Sequence, residues 1–317
     1  MADVLQDFWT VAQNVLTLFI LIFAGVCCQR FPLLNEAAVK CCANVVLYIA
    51  TPCVVIKSCI REFDRGMLRG FLIVAAAAVV NHLLLIAIAH LLFRDKDEGR
   101  RRVLRFAAVF SNAGYMAIPL QQAVLGDEGV FYCAAYIIVF NIVMWTYGVV
   151  DMSGQTGELS GKKLLLNPGI LGVLLGLVVF LFPIPVPGVL QDALGHMANL
   201  NTPIPMLIVG YYLAQTDLKA AVRDGRSYLC LAVRLVLMPL LALGLLLLCG
   251  VRGTVLVSLM ICISTPVATA CTMFATRYDR NPLLSVNLVS LSTLCAVVTM
   301  PLVIALTSQL SQLPPLF

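Results

Sequence analysis

Long apolar runs alternate with short polar breaks along the whole chain. A helix needs about 20 mostly apolar residues to cross a bilayer. The chain offers such runs at Phe8–Gln29, Glu36–Cys59, Arg69–Phe93, Val103–Leu125, Gly129–Val150, Asn167–Phe182, Leu190–Gln215, Ser227–Cys249, Thr254–Thr276 and Pro282–Ser308. The sixth is short, and Pro183, Pro185 and Pro187 end it. Because the runs are continuous rather than alternating, a transmembrane barrel is excluded. The pattern predicts an all-α polytopic membrane protein with ten transmembrane helices.

Composition agrees with this reading. The 317 residues are 61% hydrophobic and 12% charged, with a mean hydropathy of +0.97. Soluble domains carry about 45–50% apolar and about 25% charged residues. These values exclude an ordinary soluble domain, a disordered chain and a nucleic-acid binder. Asp3 and Asp7 precede the first run and no Lys or Arg does, so no cleavable signal peptide is expected. The 12 cysteines lie almost entirely in apolar runs and form no C-x-x-C pair. They read as packing residues, with no metal or cofactor implied.

The formal charge of +5 matters less than its placement. Arg30, Arg94, Lys96, Arg100, Arg101, Arg102, Arg105, Lys162, Lys163, Lys219, Arg223, Arg226, Arg277 and Arg280 fall on one side of the predicted bundle, 14 in all. Arg61, Arg65, Arg69 and Arg252 are the 4 on the other. Positive charge collects in the cytoplasm. This predicts a multi-pass protein of the cytoplasmic membrane with both termini outside, and makes the Arg94–Arg105 cluster a topology anchor.

The halves echo one another. Thr51-Pro52 recurs as Thr202-Pro203, 151 residues later; Ser111 and Ser264 are 153 apart, and Pro119 and Pro266 are 147 apart. Residues 1–151 and 167–317 then form two five-helix repeats joined by a cytoplasmic linker, 152–166. Five is odd, so the second repeat enters the membrane from the opposite side, as in many secondary transporters. Spans four and nine carry matched interruptions. Ser111 to Pro119 lies roughly 12–24 Å into span four, and Pro266 about 18 Å into span nine. Proline cannot donate its backbone hydrogen bond and disfavours helix before it. In hydrocarbon a broken helix is tolerated only where it lines a cavity.

Two broken spans crossing at mid-depth would each present a half-helix N-terminus, with free N–H groups and partial positive charge. Such a place suits a small carboxylate. The candidate substrate-binding residues are Ser111, Asn112, Gly114, Tyr115 and Pro119 on span four. On span nine they are Ser264, Thr265, Pro266 and Thr269. Asn112 can donate from its amide. No Asp or Glu lies mid-span, which argues against carboxylate-based ion coupling. At the repeat offset of about 151 the position of His82 falls beside that of Arg234, and two readings stay open for them. They form a polar pair behind the crossing with His82 titrating; or Arg234 snorkels to the headgroups and His82 bonds a carbonyl. Asn141 and Asn287 are further polar residues at depth, with Ser290 and Ser292. Asn199 and Asn201 read as partners of the span-seven kink.

The run Ser111-Asn112-Ala113-Gly114-Tyr115-Met116-Ala117-Ile118-Pro119-Leu120 resembles the S-N-x-G-x-x-G-I-P-L signature of the auxin efflux carrier family, bacterial branch. Pro266 to Ala270, Phe274 to Tyr278, Leu291 to Leu294 and Thr299 to Leu302 resemble its last two spans. Family members include plant PIN auxin carriers and bacterial malate and malonate permeases. The resemblance implies two inverted five-helix repeats with crossing helices four and nine, an architecture of the NhaA and bile-acid-symporter kind. It implies a scaffold of helices 1, 2, 6 and 7, and a transport domain of helices 3–5 and 8–10 that moves as an elevator. It places Asn112, seven residues before Pro119, at a substrate carboxylate. Ala117 stands where the family has Gly, and Cys271 where the plant branch has a second proline at its crossover, which implies Cys271 as a further substrate-binding candidate. The expected function is secondary active or facilitative transport of small organic anions. The alternative is a sodium- or proton-coupled symporter of the bile-acid type. The lipid bilayer and an organic anion are the expected partners, with a homodimer through the scaffold, no nucleic acid and no enzymatic activity.

Overall fold

The computed structural model describes residues 2–155, 161, 166–182, 184–216 and 224–312. Among them the chain is helical, and the fold is that of a polytopic membrane protein. The helices are α1 (Ala2–Arg30), α2 (Glu36–Cys59), α3 (Arg65–Leu92), α4 (Glu98–Val109), α5 (Ala113–Ser153), α6 (Pro168–Leu181), α7 (Gly188–Asn199), α8 (Pro203–Ala214), α9 (Gly225–Leu248), α10 (Gly253–Ser264), α11 (Ala270–Arg277) and α12 (Pro282–Ser311). Six are apolar and long enough to cross a membrane: most of α1 together with α2, α3, α5, α9 and α12. α6 and α10 are shorter apolar helices. Pro183, Lys162, Lys163, Lys219 and Arg223, which entered the prolines and charges counted above, lie outside the described residues.

Sequence explains where the helices start. Asn35, Asp64, Asp97, Asn167, Asp224 and Asn281 each accept a backbone N–H of the first turn through the side chain. Short polar side chains of this kind satisfy donors that have no intrahelical partner. Gly126 divides α5 into two arms, with φ 65° and ψ −152°. That conformation is strained for any residue with a Cβ.

Three prolines bend helices in one shared way. Wide π-type turns span Val46–Ala50, Ala113–Ala117 and Val233–Leu237, and each ends two residues before Pro52, Pro119 or Pro239. A proline cannot bond the carbonyl one turn back, and its ring crowds it. Widening that turn by one residue absorbs the mismatch without ending the helix.

Packing sorts the helices into neighbourhoods. α1 lies along α8, and α2 contacts α6, α7 and α8. Gly25 and Gly210 bring the α1 and α8 backbones into direct contact: a Cβ on either would overlap the Leu207 or Ile22 carbonyl. Gly172 does the same against Pro52. Small residues that admit a second backbone are the usual means of helix association in lipid. The Thr51 hydroxyl donates to Asn201 Oδ1 at 2.8 Å, tying the α2 kink to the one between α7 and α8. Around α5, the helices α3, α10 and α12 surround the main buried core.

At the end bearing Arg94–Arg105, ion pairs link distant segments. Arg100 pairs with Asp95 at 3.0 Å and with Asp224, and Arg226 pairs with Asp95 at 2.9 Å. Arg102 bonds Glu98 and the Asp151 carbonyl, and Arg280 donates to the Ser153 carbonyl at 3.1 Å. Burial raises the Asp224 carboxyl, but hydrogen bonds from Ser227, Arg100 and the Arg226 N–H more than offset that. Its pKa is held below the ordinary value.

Candidate functional site

The site begins where two helices stop. α4 ends at Val109 and the next helical turn starts at Ala113, with Phe110 extended between them (φ −98°, ψ 118°). α10 ends at Ser264 and α11 begins at Ala270, with Thr265 extended (φ −62°, ψ 151°). Proline explains the second gap, because Pro266 pushes Thr265 out of the helical region. The first gap does not sit at its proline. Pro119 lies inside α5, where the π turn accommodates it, and the break is centred on Ser111 instead.

The two gaps meet. Ser111 and Val267 form an isolated antiparallel bridge. The Asn112 N–H donates to the Pro266 carbonyl at 2.8 Å, and the Ala268 N–H donates to the Phe110 carbonyl at 2.9 Å. The Val267 N–H donates to Ser292 Oγ on α12 at 3.0 Å. Away from water, unpaired backbone groups are costly. Each interruption is therefore completed by the other.

The end of α10 is completed by a cation. Arg234, fully buried on the π turn of α9, donates to the Ile263 carbonyl and to the Thr265 carbonyl, the latter at 3.3 Å. Positive charge at a helix C-terminus meets the negative end of its dipole. Behind it, His82 Nδ1 bonds the Ala78 carbonyl at 2.7 Å, and its ring packs on Phe110, Tyr136 and Phe140. The Tyr136 hydroxyl is 3.5 Å from Ser111 Oγ.

One side of the crossing is open. A Cβ added at Gly114 would meet nothing within 4 Å. Neighbouring Tyr115 packs against the cluster of Val39, Ile208 and Tyr211 on α2 and α8. Asn112 is buried, and its amide nitrogen has no hydrogen-bond partner.

Comparison with known proteins follows the same lines. The sequence matches the family described as "Membrane transport protein" over residues 10–161 and 152–304. The chain belongs to this transport family. It is the auxin efflux carrier family that the span-four motif resembles, and the protein is a transporter rather than an enzyme. Two archaeal relatives are each named an uncharacterized transporter. One, from Methanothermobacter thermautotrophicus, is 24% identical over 294 residues, covering 92% of this chain and 96% of the relative. The other, from Methanocaldococcus jannaschii, is 24% identical over 302 residues with the same coverage of both chains.

Within this transporter the sequence-selected residues divide. Ser111, Asn112, Gly114, Tyr115 and Pro266 gather at the crossing. Thr269 caps the second half-helix, half-buried, without a side-chain bond. Ser264 and Thr265 are buried, and their hydroxyls donate back to the Ile261 and Cys262 carbonyls of their own helix. Cys271 lies inside α11, fully buried, with its sulfur 4.0 Å from the Val103 carbonyl. Pro119 is displaced from the break as described.

His82 bonds a carbonyl, whereas Arg234 does not snorkel: it is buried, and its charge is directed at the α10 carbonyls. Asn141 donates to the Ile137 carbonyl at 3.0 Å and packs on Gly169. Asn287 is buried with its carbonyl oxygen unpartnered. Sequence reasoning missed Tyr136 and the capping role of Arg234. A basic residue five positions before a mid-span proline is the only one-dimensional sign of the latter.

Proposed function

We propose that this transporter carries small organic anions, carboxylates in particular, across the cytoplasmic membrane by alternating access. The supporting observation is the buried, unpartnered Asn112 amide beside the open space at Gly114, where a half-helix begins. A donor in apolar surroundings without a partner carries a penalty that a bound acceptor removes. The start of the Ala113 turn adds N–H groups and dipole charge of the right sign.

The larger frame of the proposal is ten spans in two inverted repeats. Span four consists of α4 and the first arm of α5, span seven of α7 and α8, and span nine of α10 and α11. The scaffold is α1, α2, α6, α7 and α8, which contact one another; the rest forms the moving domain. The contact between Tyr115 and the α2–α8 cluster is then part of the sliding surface of an elevator movement. Both termini lie outside the cytoplasm, and a second copy docks through the scaffold. The rival, a sodium- or proton-coupled symporter of the bile-acid type, would need an ion handle. Among the described residues no carboxylate stands at the crossing, which favours the anion carrier.

The test is uptake of labelled malate, malonate and indole-acetate by proteoliposomes. Saturable flux that falls at least tenfold in Asn112→Ala supports the reading. Equal flux in wild type and Asn112→Ala refutes the assignment of Asn112.

A further inference from the structure

A cavity of about 350 Å³ lies between α3 and the second half of α9, apart from the crossing. Its lining is almost wholly apolar and includes Ala77, Leu84, Met238, Ala242 and, from the end of α10, Ile263. Val80 on its rim is exposed on the lateral surface that a bilayer would cover, so the cavity opens sideways.

Asn81 interrupts this lining. It follows Ala77 by four residues and precedes Leu84 by three, which places it on the helix face turned to the cavity. It is 4% exposed, and neither its amide nitrogen nor its oxygen has a partner. A primary amide offers two donors and two acceptor sites. Leaving all of them unused in apolar surroundings is costly, and native structures rarely do so. Water is a poor occupant, since it needs two to four polar partners. No other lining residue has an amide, a hydroxyl or a charge.

We propose that this cavity is a lateral binding site for a single-chain neutral amphiphile that enters from the lipid. Its hydroxyl or carbonyl head meets Asn81, and its alkyl body lies along Leu84, Met238 and Ala242. The volume lies at the lower end of that of small-molecule sites, about 300–1,000 Å³, which suits one alkyl chain with its head. The head is neutral because no cation lines the cavity, and an ionised carboxylate there would be desolvated without compensation. This goes beyond the transport reading and does not depend on it. The occupant also touches Ile263, whose carbonyl Arg234 holds, so it sits one residue behind the crossing.

The experiment is photolabelling of the reconstituted full-length protein with a diazirine-bearing dodecanol, with adducts mapped by mass spectrometry. Adducts on α3 and α9 beside the cavity should be competed away by unlabelled dodecanol. Asn81→Leu should lower the competable labelling at least tenfold without lowering the unfolding temperature, and Asn81→Gln should retain most of it. Ala242→Trp, which fills the cavity, should abolish it. Labelling that dodecanol does not compete is general lipid contact and overturns the proposal. So does equal labelling of wild type with Asn81→Leu or with Ala242→Trp. Stronger competition by dodecanoate than by dodecanol overturns the neutral head.

Discussion

Arg234→Met tests the reading of the crossing most directly. The substitution keeps an unbranched side chain of similar reach and deletes the charge and donors. Two carbonyls, those of Ile263 and Thr265, then lose their side-chain partner at the buried end of α10. A stranded buried polar group costs about 1–3 kcal/mol, so the pair costs about 2–6 kcal/mol. Arg234 also brings a cost of its own, because its second terminal nitrogen, Nη1, is buried without a partner. Removing that orphan returns about 1–3 kcal/mol, so subtracting the midpoints, about 2 from about 4, leaves a net loss of about 2 kcal/mol. At about 2.1 cal/mol/K per residue, a chain of 317 residues then unfolds roughly 3 °C lower. Arg234→Lys reaches one carbonyl but not both and should fall between the two. The assay is thermal unfolding of the detergent-purified protein by intrinsic fluorescence, alongside flux in proteoliposomes, which should fall in parallel as the bridge at Ser111 and Val267 loosens. An Arg234→Met protein that unfolds within about 1 °C of wild type and transports normally would refute the cap.

The remaining predictions concern assembly and the charged end. Gly210→Val places methyl groups where the Ile22 carbonyl stands, so the α1–α8 contact cannot close. The expected result is loss of monodisperse protein on size exclusion, whereas Gly244→Val, which meets nothing within 4 Å, should behave as wild type. A double-mutant cycle on Arg100 and Asp224 should return a coupling of about 1 kcal/mol, the scale of a partly exposed pair, and should weaken with salt. Because the Asp224 pKa is lowered in the folded state, its contribution is present above the ordinary carboxylate pKa and is lost as pH falls through the depressed one. Asp224→Asn should flatten that part of the stability profile, and an unchanged profile would exclude the linkage.

Much of the architecture was legible in one dimension because its causes are local. Apolar length, a capping Asn or Asp and a proline each act within a turn or two of their own position. This made the helical segments and the interruption at Pro266 readable, whereas Asn201, expected to serve the span-seven kink, accepts from Thr51 at the α2 kink. In span four the expected interruption ran from Ser111 to Pro119, and the break lies at its Ser111 end, because a π turn absorbs Pro119. Cys271 makes a related point: a motif position shows where a residue sits along a helix, but not which face it takes.

By itself, then, the sequence determined that the chain is a helical membrane transporter and which segments are polar at depth. Only the tertiary structure decided how that polarity is satisfied. The Phe110 carbonyl finds the Ala268 N–H, and the Ile263 and Thr265 carbonyls find Arg234, across helices far apart in the chain. The reason is physical: insertion depends on each segment's own transfer from water to lipid, whereas hydrogen-bond partners inside lipid are settled between segments once they pack.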